Sequence, residues 1–192
     1  VKVQSVSIAE ISAWEIGELD AWTRKYEWSS VAKAIIEKIQ VKTHLMTDLG
    51  IGHLTIDQSA ATLSASESQR IRVINQLTAP LSDVLYVLDE PSIGLHPDEN
   101  RKMIAHLKAL VDKGNTVIVV EHDLDTIRNA DWIIDIGPKA GAAGGDLLFN
   151  GTLHGFLQTE NESPTLAALT KSSKPSQLPK LAIEPVEMVE RE

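Results

Sequence analysis

The segment VLYVLDEPSIGLHPDEN, Val84 to Asn100, constrains this chain more than any other. The apolar run Val84-Leu85-Tyr86-Val87-Leu88 is the length of a strand and too short for a helix. It passes straight into Asp89 and Glu90, and Pro91 ends it. A second apolar run, in TVIVVEHD, ends in the same way on Glu121, His122 and Asp123. The residues between them, HPDENRKMIAHLKALVDKG, have helical spacing. Pro97 and the acids Asp98 and Glu99 suit a first turn, and Gly114 lies just beyond the end. Met103, Ile104, Leu107, Leu110 and Val111 form the predicted buried face. A strand, a crossover helix and a second strand make a parallel pair, so the fold class is α/β with a parallel sheet core. The unbroken apolarity of both strands predicts a sheet covered on both sides.

Parallel strands deliver their carboxyl ends to one crevice, where ligands of such sheets bind. Two acids at the end of one strand, and a Glu-His pair at the end of its neighbour, therefore share that crevice. Burying a lone carboxylate costs several kcal/mol unless something compensates it. A hydrated Mg²⁺ does so, since it keeps most of its waters and takes one or two carboxylates plus substrate phosphates. Asp89 is then the residue that would hold the ion. Glu90 is free to polarise an attacking water, and His122 is placed to reach a terminal phosphate.

The rest of the chain reads as follows. Residues 29–49 are predicted helical from Val31, Ile35, Ile39, Leu45, Met46 and Leu49, with Gly50 as the stop. LSASESQRIRVINQL is a second helix with Ile71, Ile74 and Leu77 in phase, capped by Ser64 or Ser66. Residues 1–27 show no clear period. Trp14, Trp22 and Trp28 there read as partial core and surface. WIIDIG is a third strand, PKAGAAGG a glycine-rich turn, with Gly137 and Gly141 to Gly145 as turn residues, and DLLFNGT an edge strand. From Asn161 prolines interrupt a Ser-, Lys- and Glu-rich stretch that reads as a linker. The expected division is a helical subdomain at 1–79, a core at 80–160 and a flexible tail at 161–192.

Composition removes several functions. Net charge is −9, without the basic footprint of a free-standing nucleic-acid binder. There is no cysteine, hence no disulfide scaffold and no thiolate zinc site in this chain. No apolar run of about 18 residues is present, and no membrane span is expected. The beginning Val1-Lys2-Val3 has neither a starting Met nor the pattern of a signal peptide, and the chain reads as a fragment of something longer. His44, His53, His106 and His154 are scattered in sequence and suggest no metal site, and Arg70 and Arg72 read as solvated more readily than as phosphate contacts.

These residues carry a resemblance. VLYVLDEPSIGLH resembles the Walker B segment and D-loop of an ABC-type ATPase, LSASESQRIR its signature motif, and VIVVEHD its His-switch strand. At closer range DQSAATLSASESQRIR, GNTVIVVEHD and DIGPKAGAAGG are similar to the wording of the UvrA family, the damage-sensing ATPase subunit of the bacterial UvrABC excision nuclease. The resemblance runs from about Leu45 to Gly151 and points to the signature-to-switch half of the first ATPase module. It implies a partial ABC-type ATPase domain with a helical signature subdomain and without its P-loop half. It also implies ATP and Mg²⁺ as cofactors and a cytoplasmic location. The implied partners are DNA, a sister ATPase module, a homodimer partner and a UvrB-like protein. Residue by residue, Asp89 would coordinate Mg²⁺ through water, Glu90 position the water and His122 contact the γ-phosphate. Ser92 and Gly94 would lie in the D-loop, and Ser64, Ala65, Ser66 and Glu67 would cap a nucleotide held by the opposite module.

The sequence departs from the family pattern twice. No G-x-x-x-x-G-K-[S/T] occurs, and phosphate cradling requires that loop and its lysine. The two signature glycines are replaced by Ala65 and Ser66. A degenerate paralogue acting as a non-hydrolysing binding or regulatory module is therefore the alternative. A transporter-type ATPase subunit fits less well, given SAATLS, SIGLH and DIGP.

Overall fold

The computed structural model describes residues 2–79, 81–137, 145–160 and 163–171. The chain divides into two compact units, Val1–Asp131 and Trp132–Glu192. The first begins with a hairpin, β1 (Lys2–Val3) and β2 (Val6–Ser7), then the helices α1 (Ile8–Ser12), α2 (Ile16–Lys25) and α3 (Ser30–Asp48). A single 3-10 turn, Ala60–Thr62, precedes α4 (Ala65–Leu77). Then come β3 (Leu85–Asp89), α5 (Pro97–Asp112), β4 (Thr116–Val120) and the short α6 (Leu124–Ile127). The second unit holds β5 (Trp132–Gly137), β6 (Asp146–Thr152), α7 (Leu153–Gln158) and α8 (Pro164–Lys171).

The core of the first unit is where the apolar phases of α3, α4, α5 and β3 meet. Leu45 and Leu49 of α3, Ile51 and Leu54 of the connector, Val73 and Ile74 of α4, Leu88, Met103 and Leu107 form one buried cluster. Burying a side chain of this kind fully is worth about 1.5–3 kcal/mol. Val111 and the first half of α3 do not join it. Val111 is exposed at the last turn of α5, and Val31 and Ile35 are exposed although they share the helical spacing. The spacing gives a face, but whether a neighbour reaches each turn of it is a tertiary matter.

Local chemistry sets the junctions. Gly50 takes φ +73° after α3, and a Cβ there would overlap the Glu99 carboxylate. That carboxylate accepts from the His96 N–H (2.9 Å), closing a capping box at the start of α5. Buried Asn115 donates to the Leu110 carbonyl (2.9 Å) and accepts from the Val84 N–H (3.2 Å), so the exit of α5 and the entry of β3 are tied to one side chain. In the α2–α3 region Trp14, Tyr26 and Trp28 each meet Trp22 edge-on at 5.3–5.7 Å, an aromatic cluster that is half-buried.

β3 and β4 are parallel and in register, from Leu85 opposite Thr116 to Asp89 opposite Val120. One face is packed: Tyr86 and Leu88 are buried, and Val117 and Val119 lean on the core. The other face corrects the expectation of two-sided cover. Leu85, Val87, Ile118 and Val120 are 45–58% exposed. The expected third parallel strand differs too. β5 pairs antiparallel with β6. Eight residues separate Gly137 from Asp146, which permits a hairpin, whereas a parallel partner needs a crossover of a dozen or more. Most of the PKAGAAGG turn, with Gly141, lies outside the described residues.

The stretch expected to be a linker from Asn161 contains α8. Ser163 caps it, accepting from the Leu166 N–H (3.1 Å) and donating to buried Asp135 (2.5 Å), while Leu166 and Leu169 are buried. Sequence composition hides this, because one serine hydroxyl supplies both the cap and the partner for the strand's carboxylate. Residues 172–192 lie outside the described residues. Among the described residues no helix is long and apolar enough to cross a membrane.

His44 and His106, far apart in sequence, meet on Asp48. Its carboxylate takes Lys102 at 2.9 Å, His106 at 3.1 Å and His44 at 3.5 Å, joining the end of α3 to α5. Burial pushes the Asp48 carboxyl up, but the bonds from His106 and Lys102 and the nearby positive charge outweigh it and bring the group down to about 2. A depressed carboxyl adds stability above its unfolded value of 3.8, and this is lost as pH falls through about 2. Asp48→Asn is expected to lower unfolding free energy by about 1–2 kcal/mol at pH 7. In urea denaturation the gap between the two proteins should shrink steadily from pH 4 toward pH 2.

Candidate functional site

In-register pairing makes β3 and β4 end side by side, and this builds the site. The ladder continues one bond further, from the Glu90 N–H to the Val120 carbonyl (2.9 Å). Glu90 itself has φ +43°, a left-handed conformation that turns the chain out of the strand into buried Pro91. Its carboxylate meets the Nε2 of His122 at 3.2 Å, with both side chains accessible. Asp89 is exposed beside them. Asp89, Glu90 and His122 are thus gathered at one strand edge, as the sequence reading expects.

Glu121, directly after β4, is placed at the strand end by that reading but given no role by it. Glu121 accepts the N–H (2.8 Å) and hydroxyl (2.8 Å) of Ser92, and also the N–H groups of His122 (3.1 Å) and Asp123 (3.3 Å). Asp123 in turn caps α6 through the Thr126 N–H (2.8 Å) and accepts from Asn100 (2.7 Å). The sequence signal for Glu121 was its place at the end of an apolar strand. Its partners could not be read from there.

The second group of predicted residues lies at the start of α4. Ser64, not Ser66, is the N-cap. Its hydroxyl accepts from the Glu67 N–H (3.2 Å), and the Glu67 carboxylate accepts from the Ser64 N–H (2.7 Å). The Ser64 hydroxyl and backbone, followed by His53 at 3.1 Å, lower the Glu67 carboxyl to about 2. The Ser66 hydroxyl sits 3.2 Å from that of Ser64. Ser64, Ala65, Ser66 and Gln69 line an open cleft whose other wall is Ile93 and Gly94. Gly94 has φ +72°, and a Cβ there would lie 3.7 Å from that of Ser66. A strained φ rather than lack of room is the reason for glycine there.

The two groups are connected by side chains from α4. Gln69 donates to the Asp89 carbonyl (2.8 Å). Arg70 donates to the carbonyls of Leu49 (3.2 Å) and Gly94, so it is a structural clamp and not the solvated residue its charge suggests. Ser92 belongs to the acid–histidine group through Glu121, while Gly94 belongs to the cleft.

To a divalent cation Asp89 offers a single exposed carboxylate. Among the described residues no three His, Asp or Glu side chains form a metal cage. The exposed Asp89 carboxylate nonetheless forms no ion pair there. One carboxylate with phosphates and water completing the shell suffices for Mg²⁺.

No protein-family model matches the chain. UvrABC system protein A from Thermus thermophilus is 46% identical over 165 residues, 83% of this chain and 17% of that protein. The protein of the same name from Helicobacter pylori strain J99 is 47% identical over 133 residues, 69% of this chain and 14% of its own length. The chain thus spans about a sixth of the curated relatives it matches. The crystal structure of UvrA2 from Deinococcus radiodurans superposes with a TM-score of 0.77 at 34% identity, covering 92% of this chain and 24% of that one. An ATP binding subunit of an ABC transporter matches at TM-score 0.50 and 18% identity over 76% of this chain and 56% of its own, a likeness of fold alone. The fold is a partial ABC-type ATPase domain of the α/β class.

The left-handed φ of Glu90 carries a cost that site chemistry would have to justify. A non-glycine residue there costs roughly 1–2 kcal/mol, and glycine returns roughly 0.4–1 of that through the unfolded chain. Glu90→Gly is expected to raise unfolding free energy by about 0.5–1 kcal/mol. A urea midpoint shifted upward with unchanged slope is the readout.

Proposed function

Since the chain belongs to the UvrA family, we propose that it is the signature-to-switch part of the first ATPase module of a longer DNA-binding ATPase of nucleotide excision repair. In this reading it couples ATP binding and hydrolysis to the recognition of damaged DNA. The observation that carries it is the in-register end of β3 and β4, which sets Glu90 3.2 Å from His122 with Asp89 alongside. Asp89 holds Mg²⁺ through water, and the ion supplies charge neutralisation at the phosphates. Glu90 accepts a proton from, and orients, the attacking water. His122 meets the γ-phosphate. Ser64 to Glu67 and the D-loop residues Ser92 and Gly94 face nucleotide and backbone of a sister module.

Two observations support an incomplete module. The chain has no phosphate-cradling G-x-x-x-x-G-K-[S/T] loop, and the apolar face of Leu85, Val87, Ile118 and Val120 is open. The rest of the module packs on that face. A homodimer, a UvrB-like partner and a cytoplasmic location come with the same reading.

One observation favours the alternative, a non-hydrolysing binding or regulatory module. Side chains at Ala65 and Ser66 occupy the cleft wall where the family wording has glycines, and the Ser66 Cβ lies close to Gly94. Each added Cβ limits how near a phosphate approaches the α4 N-terminus.

Three measurements test this. The isolated chain is expected to show no ATP turnover above background, since its sequence has no G-x-x-x-x-G-K-[S/T] loop. In a full-length protein Glu90→Gln should slow single-turnover hydrolysis by roughly 10²–10⁴-fold while ATP affinity holds. Unchanged turnover would remove Glu90 from the role. Replacing Ala65 and Ser66 together by glycine should raise steady-state ATPase roughly ten- to a hundredfold if the signature acts in the transition state. No gain would show the two residues to be compatible substitutes.

A further inference from the structure

We propose that Glu121 is a positioning residue that couples the His-switch to the D-loop, an inference that rests on the function proposed above. The Glu121 carboxylate holds four donors on two oxygens. Oε1 takes the Ser92 N–H, and Oε2 takes the Ser92 hydroxyl together with the N–H groups of His122 and Asp123. Two of these donors belong to the loop after β3, and two to the turn after β4. The β3–β4 ladder holds the strands themselves but ends at the Glu90 N–H. Beyond it, this carboxylate joins the two loops side chain to backbone.

The chemistry requires an anion. All four groups are donors, and a carboxylate has about four lone-pair sites and no proton of its own. An amide of the same shape keeps one acceptor oxygen, so it would lose either the one donor on Oε1 or the three on Oε2, and would hold the remainder without the negative charge. Bonds to an ionised acceptor are also the stronger kind. A shift of the His122 backbone therefore pulls on the carboxylate that fixes Ser92. The D-loop is held at its other end by Arg70, which donates to the Gly94 carbonyl and to Leu49 at the end of α3. Ser92 is thus the end free to respond, and Glu121 is the link through which it does.

The first test uses amide hydrogen exchange on this chain. Glu121→Gln should raise exchange about tenfold at Ser92, His122 and Asp123, and leave Leu107 in the core unchanged. Ser92→Ala should raise exchange at His122, with which Ser92 shares the Glu121 Oε2 acceptor, and this effect should vanish in the Glu121→Gln background. Ser92→Thr, which keeps the hydroxyl, should restore the wild-type pattern. Exchange raised equally at all amides, or a Ser92→Ala effect that persists without the Glu121 carboxylate, would overturn the link.

The second test uses the full-length ATPase. Glu121→Gln should lower kcat about tenfold with KM for ATP unchanged, and Ser92→Ala should add nothing further to it. Full additivity, or an unchanged kcat, overturns the coupling. Glu90→Gln is measured alongside. If Glu90→Gln abolishes hydrolysis and Glu121→Gln does not affect it, this inference fails and the proposed function stands. If Glu90→Gln leaves hydrolysis intact, Glu90 loses the role proposed for it, while an unchanged kcat in Glu121→Gln still overturns the coupling.

Discussion

The parallel, in-register pairing of β3 with β4 is the constraint on which the rest depends. Because Asp89 lies opposite Val120, the residues that follow each strand emerge together. That places Glu90 next to His122, and Ser92 within reach of Glu121. The pairing is held from beneath by Leu88, Val117 and Val119 on the helical core, and at its start by Asn115. A slip of one residue would turn Leu88 to the open face and carry the acids away from the histidine. Core packing and site geometry are therefore one interaction seen from its two ends.

The acids of this chain sort by what surrounds them. Asp48 is clamped by Lys102 and two histidines, Glu67 closes a capping box, Asp135 takes two hydroxyls, and Glu121 takes four donors. Each is satisfied within the protein, as a carboxylate removed from water must be. Asp89 is different. It stands exposed at a strand end, and α4 binds its backbone carbonyl through Gln69 while leaving the carboxylate alone. In the proposed function that carboxylate takes a ligand from outside. Exposed Glu37 and Asp112 also form no ion pair among the described residues, so it is the position of Asp89 at the paired strand ends that marks the candidate site.

The helical part and the strand ends communicate through backbone carbonyls. Gln69 reaches that of Asp89, and Arg70 those of Leu49 and Gly94. Carbonyl contacts read main-chain position and not side-chain identity, so they fix the cleft between Ser64–Ser66 and Ile93–Gly94 whatever residues line it. That makes Ala65 and Ser66 changes of surface on an unchanged frame. In the proposed function these two residues bear on how closely a phosphate can approach, not on whether α4 is in place.

The sequence alone determined the elements whose cause is local. Helix α5 follows from Pro97, its acidic first turn and its apolar stripe. A cap at Ser64 or Ser66 was legible and the structure selects Ser64, while β3 and β4 follow from their apolar runs. The grouping of Asp89, Glu90 and His122 was legible as well, since parallel strands must end together. Tertiary structure decided what local pattern cannot carry. It left one face of the sheet open, turned WIIDIG into an antiparallel hairpin and folded α8 onto Asp135. It also made Arg70 and Glu121 into clamps. In each case the deciding partner lies more than twenty residues away or across a turn, and a hydrophobic period states which face is apolar without stating what will cover it.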